Sequence, residues 1–173
     1  QEEIRKRAAM LNKIELFNPL SEEEREYLAS KLLFSPYTKG ETLTQQGSKG
    51  HWLYIIRKGT VKIELELPNG QRKEIGRLSD GDFFGEMALL TGVPRTSTVT
   101  AVTEVESYRL DKHTFHEIVQ NRTSMADYLA GVLARRETEL EKARDEIAQH
   151  QMLKIQEKKA HLLNRISQFF KPD

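Results

Sequence analysis

The sequence contains no cysteine among its 173 residues. Disulfides, thiolate nucleophiles and thiolate metal ligands are therefore excluded, which favours a reducing compartment such as the cytosol. No apolar run approaches the roughly 20 residues needed to cross a bilayer. Because the first residues, Gln1-Glu2-Glu3, include neither an initiator methionine nor a signal peptide, we expect this sequence to be a segment of a longer polypeptide.

An excess of charge of one sign is also missing, since 27 Lys and Arg stand against 26 Asp and Glu. A net charge of +1 gives no bulk field that would gather nucleic acid or a membrane surface. The hydrophobic content of 38% is low and the charged content of 31% is high, which indicates that part of the chain is solvated helix. We therefore predict one domain with helical appendages and no nucleic-acid partner.

Helices are predicted at the N-terminal end. Apolar residues recur at steps of three and four over residues 1–17, and Asn18-Pro19 ends this pattern. Ser21, with Glu24 three residues later, forms a capping box that predicts the start of a second helix.

The middle of the chain, from Tyr37 to Leu110, has recurring glycines between short runs rich in β-branched and aromatic residues. This texture is typical of a sandwich, a barrel or a jelly roll. Within it, Trp52 to Ile56 is predicted to be a buried strand, and strict alternation from Val61 to Leu67 before the turn Pro68-Asn69-Gly70 predicts a hairpin.

Helices return after the strands. Asp111 can cap a short helix, and a much longer one is predicted to begin after Asn121 with Thr123 or Ser124 as its cap. Its apolar residues fit a heptad pattern only in part, because Arg136 and His150 interrupt it. A second amphipathic stretch follows from Ile155 onward, and we expect another subunit to cover it, which would make a homo-oligomer.

The segment from Phe83 to Ala101, FFGEMALLTGVPRTSTVTA, has the composition of an anion site. Gly85 lets the backbone approach a ligand closely, and the residues after it can form one helical turn whose N–H groups point at an anion. Arg95 carries a planar guanidinium that suits two phosphate oxygens. Glu86 would repel a phosphate but can accept hydrogen bonds from ribose hydroxyls, so the pattern indicates a sugar phosphate site.

These residues closely resemble the phosphate-binding cassette of the cyclic-nucleotide-binding domain family, here Gly85 to Thr98. The resemblance spans roughly Leu16 to Leu133 and is specific over that length. Its flanking motifs are LF-x-x-LS at Leu16 to Ser21, KGE-x-L-x-x-x-G at Lys39 to Gly47, and YIIRKG at Tyr54 to Gly59. It implies an α+β fold: an eight-stranded antiparallel β-roll, or double-stranded jelly roll, with helices at both ends and an extended C-terminal helix.

The resemblance also implies the ligand, cAMP or cGMP, and how the cassette holds it. Glu86 would bind the ribose 2′-hydroxyl and Arg95 the cyclic phosphate, while the main chain of Gly85, Met87 and Ala88 would complete the cradle. The two remaining predicted cassette contacts are Thr96 and Ser97. Thr96 is compatible with cGMP without deciding between the two nucleotides, and Ser97 departs from the alanine usual in the family.

In similar domains the helix after the roll closes over the base and transmits binding. Here that lid helix starts at Ser124. The sequence does not show which of its faces turns toward the base, so the contact could come from Leu129, Val132, Leu133, Arg135 or Arg136; of these we predict Leu129 and Leu133. The resemblance implies binding without catalysis, and no nucleophile, general base or metal-ligand set is found beyond the cassette, the five histidines included. We therefore expect no enzymatic activity, no metal and no cofactor besides the nucleotide ligand.

Three classes of protein are candidates for the longer polypeptide. The C-terminal sequence resembles the tails of bacterial mechanosensitive-type channels that carry such a domain. We therefore predict a module that regulates an ion channel at the cytoplasmic face of a membrane, with the transmembrane portion elsewhere in the same polypeptide. The alternatives are a transcription regulator, although no helix-turn-helix follows, and a kinase regulatory subunit. A relative that has lost its ligand, with Glu86 and Arg95 as a structural ion pair, is the remaining interpretation.

The predicted domain organisation has three parts. Residues 1–17 form a linker helix, residues 18–133 form the nucleotide-binding domain, and residues 134–173 form a helical extension.

Overall fold

The structure, a computed structural model, describes residues 2–120 and 122–171. It contains eight strands and five α-helices within these residues. In chain order the elements are α1 (Glu2–Asn12), a 3-10 turn (Glu15–Phe17), α2 (Glu22–Lys31), β1 (Leu33–Tyr37), β2 (Thr42–Thr44), β3 (Trp52–Lys58), β4 (Val61–Glu66), β5 (Arg72–Leu78), β6 (Phe83–Phe84), α3 (Glu86–Thr91), β7 (Thr98–Ala101), β8 (Val105–Asp111), α4 (Lys112–Gln120) and α5 (Thr123–Phe169).

The strands form two four-stranded sheets, in the orders β1-β8-β3-β6 and β2-β7-β4-β5. All strand pairs are antiparallel, and β4 and β5 form the hairpin predicted around Pro68-Asn69-Gly70. The expected α+β fold with an eight-stranded antiparallel roll and helices at both ends is therefore confirmed.

Strand β3 is buried on both faces because each face meets a different core. Leu53 and Ile55 belong to the larger hydrophobic cluster, which the helices complete. Tyr54 and Ile56 belong to a smaller cluster with residues from both sheets. The period of two along a strand sends alternate side chains to opposite faces, so β3 lies between the helices on one face and the second sheet on the other.

Two of the three predicted helix caps form, whereas Thr123 and Ser124 lie within α5, which already begins at Thr123. Ser21 and Glu24 form the predicted capping box, in which the Ser21 hydroxyl accepts from the Glu24 N–H and the Glu24 carboxylate accepts from the Ser21 N–H. At α4, the Asp111 carboxylate accepts hydrogen bonds from the N–H and the hydroxyl of Thr114. The predicted caps of α2 and α4 are thus confirmed.

The first helix is shorter than predicted, because α1 ends at Asn12 and a 3-10 turn follows at Glu15–Phe17. Ile14, Leu16 and Phe17 are all buried. A continuous α-helix turns by about 100° per residue and would spread these three side chains around its circumference, so the break lets all of them enter the core.

The chain divides into two compact units, Gln1–Leu133 and Ala134–Asp173. The separation of residues 1–17 as a linker stays a prediction, and Leu11 and Phe17 from that stretch lie in the larger hydrophobic cluster. Among the residues described, none of the helices has a stretch both long and apolar enough for a membrane span.

Candidate functional site

A glycine turn at the end of β6 forms the centre of the candidate site. Gly85 has a φ of +98°, a conformation that L side chains rarely adopt. A Cβ atom at this position would lie 2.6 Å from Arg95 Nη1 and 2.7 Å from the carbonyl oxygen of Trp52. Glycine is therefore required here both by the backbone conformation and by the close approach of the guanidinium.

The Arg95 side chain is buried beneath this turn and is only 7% exposed. Its Nη1 donates to the Gly85 carbonyl at 3.1 Å and its Nη2 to the Trp52 carbonyl at 2.9 Å. Both acceptors are neutral main-chain groups, so these two bonds hold the guanidinium in position without cancelling its positive charge. A guanidinium has five N–H donors, and these two bonds leave the others for an anion.

The main chain fixes Arg95 as firmly as the side-chain bonds do. The Arg95 N–H donates to the Ser48 carbonyl at 2.8 Å, and the Gly47 N–H donates to the Arg95 carbonyl at 2.7 Å. Gly50, two residues beyond Ser48, has no room for a side chain, because a Cβ atom there would lie 2.4 Å from the Cβ of Ala88. The loop before β3 thus packs directly against both α3 and Arg95.

The charges at the site are partly desolvated. Burial lowers the pKa of Arg95 from its ordinary value, and nearby Tyr54 and Glu86 offset part of this effect. Burial, with Tyr37 close by, raises the pKa of Tyr54 to about 12, so its phenol stays neutral in ordinary buffers. The guanidinium carbon of Arg95 lies 6.0 Å from the centre of the Tyr54 ring. Arg95 therefore remains a cation in a poorly hydrated environment, where an anion binds more strongly than in water.

Glu86 is the first residue of α3 and is 1% exposed, and its charge interacts with that of Arg95. Ala88 is buried and Met87 half-buried on the same short helix. The first N–H groups of a helix have no partner within it, and Gly85, which precedes α3, has no side chain to cap them. The structure thus brings Gly85, Glu86, Ala88 and Arg95 together, and their contacts with a nucleotide stay a prediction.

The other predicted contacts follow Arg95 in the chain, two of them directly and two on α5. Thr96 and Ser97 are half-buried and connect Arg95 to β7. Leu129 is 1% exposed and belongs to the larger hydrophobic cluster, while Leu133 is half-buried. Their assignment to the nucleotide site stays a prediction.

Three residues that position Arg95 were missed at the sequence level. Trp52 contributes its carbonyl oxygen, Tyr54 lies beside the guanidinium, and Gly50 provides the space. Trp52 lies in the predicted buried strand but is only half-buried, and the guanidinium carbon of Arg109 lies 4.5 Å from the centre of its ring. A main-chain carbonyl leaves no signature in sequence, whereas the spacing of Gly47 and Gly50 was a signal that could have pointed to a constrained loop.

The cassette is linked to the C-terminal helices. His116 of α4 lies 2.7 Å, Nε2 to carbonyl oxygen, from Leu89 of α3, a bond in which the ring nitrogen donates. The side chain of Leu89 belongs to the same hydrophobic cluster as Phe115 of α4 and Leu129 of α5. A shift of α3 would therefore disturb the packing of both later helices.

Across residues 2–120 and 122–171 there is no group of three or more His, Asp or Glu side chains placed to hold a metal ion. The chemistry that the site does offer is the binding of an anion that also carries hydroxyl groups. A buried cation supplies the first interaction and a buried carboxylate the second.

Two known proteins illustrate what this chain is similar to. A regulatory subunit of the cAMP-dependent protein kinase from Mycosarcoma maydis is 35% identical over 122 residues, which is 70% of this chain and 23% of that protein. A CRP-like cAMP-activated global transcriptional regulator from Mycobacterium tuberculosis is 34% identical over 100 residues, 58% of this chain and 45% of that protein. The chain thus spans less than half the length of either relative.

Among solved structures, the sensor domain of the transcriptional regulator DNR from Pseudomonas aeruginosa aligns with a TM-score of 0.71 and 26% identity, covering 79% of this chain and 91% of that domain. The family model of the cyclic nucleotide-binding domain matches residues 34–122, from β1 past the end of α4. This range contains both sheets and the whole cassette. The chain belongs to the cyclic nucleotide-binding domain family.

Proposed function

We propose that the chain binds a cyclic nucleotide, cAMP or cGMP, at the glycine turn between β6 and α3, and that it performs no chemistry on it. The observation that carries this proposal is the buried Arg95 guanidinium, which two main-chain carbonyls hold at 3.1 Å and 2.9 Å. A buried cation is costly unless anions offset it, and a cyclic phosphate would add to the partial offset that Glu86 already gives.

In this proposal each residue of the cassette has one task. Arg95 binds the cyclic phosphate, and the main-chain N–H groups of Gly85, Met87 and Ala88 complete its cradle. Glu86 accepts a hydrogen bond from the ribose 2′-hydroxyl. Thr96 and Ser97 add hydroxyl contacts, and Thr96 is compatible with either base. The names of the two relatives above, which both refer to cAMP, support cAMP as the first ligand to test.

Binding is transmitted through the hydrophobic cluster that α3 shares with α4 and α5. Leu89 and Leu129 both belong to that cluster, and the bond between His116 and Leu89 adds a polar link. When the nucleotide binds, α3 moves toward its cyclic phosphate. Helix α5 then closes over the base, with Leu129 and Leu133 as the predicted contacts. Only a difference in affinity between the open and closed arrangements can drive this change.

The parent protein that we propose is an ion channel, with residues 18–133 as the nucleotide-binding domain at the cytoplasmic face and residues 134–173 as its extension. The support is the resemblance of the C-terminal sequence to channel tails. The relatives reported above are a kinase regulatory subunit and a transcriptional regulator, so these two classes remain the alternatives. Recording from the full polypeptide in planar bilayers, with and without cAMP, distinguishes a channel from either of them.

The ligand proposal is tested by calorimetric titration with cAMP, cGMP and 5′-AMP. We expect saturable binding of at least one cyclic nucleotide and much weaker binding of 5′-AMP. Arg95→Ala removes charge-assisted hydrogen bonds worth about 2–4 kcal/mol, so its affinity should fall by about 30-fold or more.

The matched control is Arg77→Ala, which removes an exposed arginine that pairs with Glu74 on β5. It should bind like the wild type. Arg95→Ala also removes two internal hydrogen bonds, so the thermal unfolding of each variant is measured first. Binding is then compared at a temperature below the lowest unfolding transition of the set. Equal affinity of the Arg95 and Arg77 variants would show that Arg95 does not hold the nucleotide. No heat with either cyclic nucleotide would show that the chain is a ligand-free member of the family.

A further inference from the structure

The C-terminal part of α5 presents large apolar side chains to solvent. Ile155 is 67% exposed and Phe169 is 82% exposed. The exposed apolar residues of this segment are Met152, Leu153, Ile155, Leu162, Leu163, Ile166, Phe169 and Phe170. An apolar surface of this extent on a solvated helix indicates a surface that another structure covers.

These residues are concentrated on one face. Met152, Ile155, Leu162, Ile166 and Phe169 follow steps of three, seven, four and three, and at about 100° per residue they fall within an arc of about 120°. Phe170 falls at the edge of that arc, in the same direction as Met152, and Leu163 extends it by about 20°. We call the face formed by these seven residues the apolar face of α5.

The same segment is basic. Residues 150–171 contain five Lys and Arg and one Glu, a net charge of +4, although the whole chain has a net charge of only +1. Lys154, Lys158 and Arg165 lie along one line beside the apolar face, within about 60° of its edge. Glu157 lies on the opposite side. The positive charge is therefore gathered next to the apolar surface rather than spread over the helix.

This arrangement disfavours a second copy of the chain as the cover. A pair of such helices would bring two sets of cations together, and Lys159, which lies inside the apolar face, would be buried in the seam. An anionic bilayer has the complementary charge. At its surface the ammonium group of Lys159 can reach the headgroups while its methylene groups stay among apolar atoms.

We propose that the apolar face of α5 lies in the surface of an anionic lipid bilayer, with the helix parallel to the membrane plane. Phe169 and Phe170 insert at the boundary between headgroups and acyl chains, and Lys154, Lys158 and Arg165 contact the lipid phosphates. This segment lies on the membrane and does not cross it, in keeping with the five cations of residues 150–171.

The test uses the full chain and sedimentation with vesicles of phosphatidylcholine, alone or with about one quarter phosphatidylglycerol. We expect at least about tenfold stronger partitioning onto the anionic vesicles, with a loss of binding when the salt is raised from about 0.05 to about 0.5 M. A Phe169→Trp variant should show a blue-shifted emission on anionic vesicles only.

Two variant sets separate charge from apolar contact. Replacing Lys154, Lys158 and Arg165 together by Gln should weaken partitioning by about 100-fold at low salt, since each cation near the surface contributes about fivefold. Leu162→Gln with Ile166→Gln should also abolish binding. The control is Gln168→Ala, an exposed change outside the apolar face, which should leave partitioning unchanged. Circular dichroism verifies that all variants remain helical.

Three results would overturn the proposal: no partitioning of the wild type, equal partitioning onto neutral vesicles, or unchanged partitioning of the triple Gln variant. Sedimentation velocity without lipid decides what replaces it. An oligomer that the Leu162 and Ile166 changes dissociate would identify a second copy of the chain as the cover of the apolar face.

Discussion

Replacing Gly85 by alanine tests the geometry of the cassette most sharply, because two separate costs arise at this residue. The φ of +98° disfavours any side chain, which costs about 1–2 kcal/mol. The new methyl would also lie 2.6 Å from Arg95 Nη1 and 2.7 Å from the Trp52 carbonyl oxygen, so the guanidinium must move. Overpacking of this kind costs about 1–3 kcal/mol.

Gly92 at the other end of α3 is the matched control. Its φ is +74°, but a Cβ atom there would have no neighbour within 4 Å. Gly92→Ala therefore carries the backbone cost alone, about 1–2 kcal/mol, and leaves Arg95 in place. The difference between the two variants isolates the close approach of the guanidinium to the turn.

Urea unfolding and calorimetric titration with cAMP measure the two effects. Gly85→Ala should lower the free energy of unfolding by about 2–5 kcal/mol and weaken nucleotide binding by about tenfold or more. Gly92→Ala should bind within about threefold of the wild type. If both variants lost the same stability and the same affinity, the contact between Arg95 and the Gly85 turn would have no role in either.

Three further predictions concern other parts of the fold. Leu129→Ala should lower the free energy of unfolding by about 2–4 kcal/mol, because Leu129 is 1% exposed within the larger cluster; a loss under 1 kcal/mol in urea unfolding would contradict this placement. Since burial raises the pKa of Tyr54 to about 12, its contribution to stability is complete below pH 10 and is lost as the pH rises toward 12. Tyr54→Phe should therefore flatten the alkaline limb of the stability profile, while Phe in place of the exposed Tyr27 should leave that limb unchanged. Ser21→Ala should cost about 1 kcal/mol. The hydrogen bond from the Ser21 N–H and the neighbouring Arg122 lower the pKa of Glu24. The stability that this cap contributes is therefore present above pH 4.5 and falls in acid. Acid titration of the free energy of unfolding, in the wild type and in Ser21→Ala, measures this fall.

Local signals in the sequence predicted much of the fold. The capping box at Ser21 and Glu24 and the cap at Asp111 need only neighbouring residues, and both form as expected. The hairpin of β4 and β5 follows from alternation and one turn. The end of α1 at Asn12 could not be predicted in this way, because it depends on where Ile14 and Phe17 find the core.

The same limit applies to the site. Gly85, Glu86 and Arg95 could be identified because residue type and spacing carry their chemistry. The Trp52 carbonyl could not, since every residue has one and only the pairing of β3 with β6 brings this one to Arg95. Leu129 has the residue type of a base contact, yet its burial in the helical cluster depends on how α5 packs, which its sequence pattern leaves open.

The most direct test of the proposed function follows the guanidinium of Arg95 itself. Its side-chain 15N–1H resonances can be assigned by comparison with Arg95→Lys and recorded during a titration with cAMP. If Arg95 binds the cyclic phosphate, these resonances shift strongly and saturate together with the calorimetric heat, while those of Arg77 stay in place. Resonances of Arg95 that do not move at saturating cAMP would contradict the proposal, because any binding would then occur elsewhere.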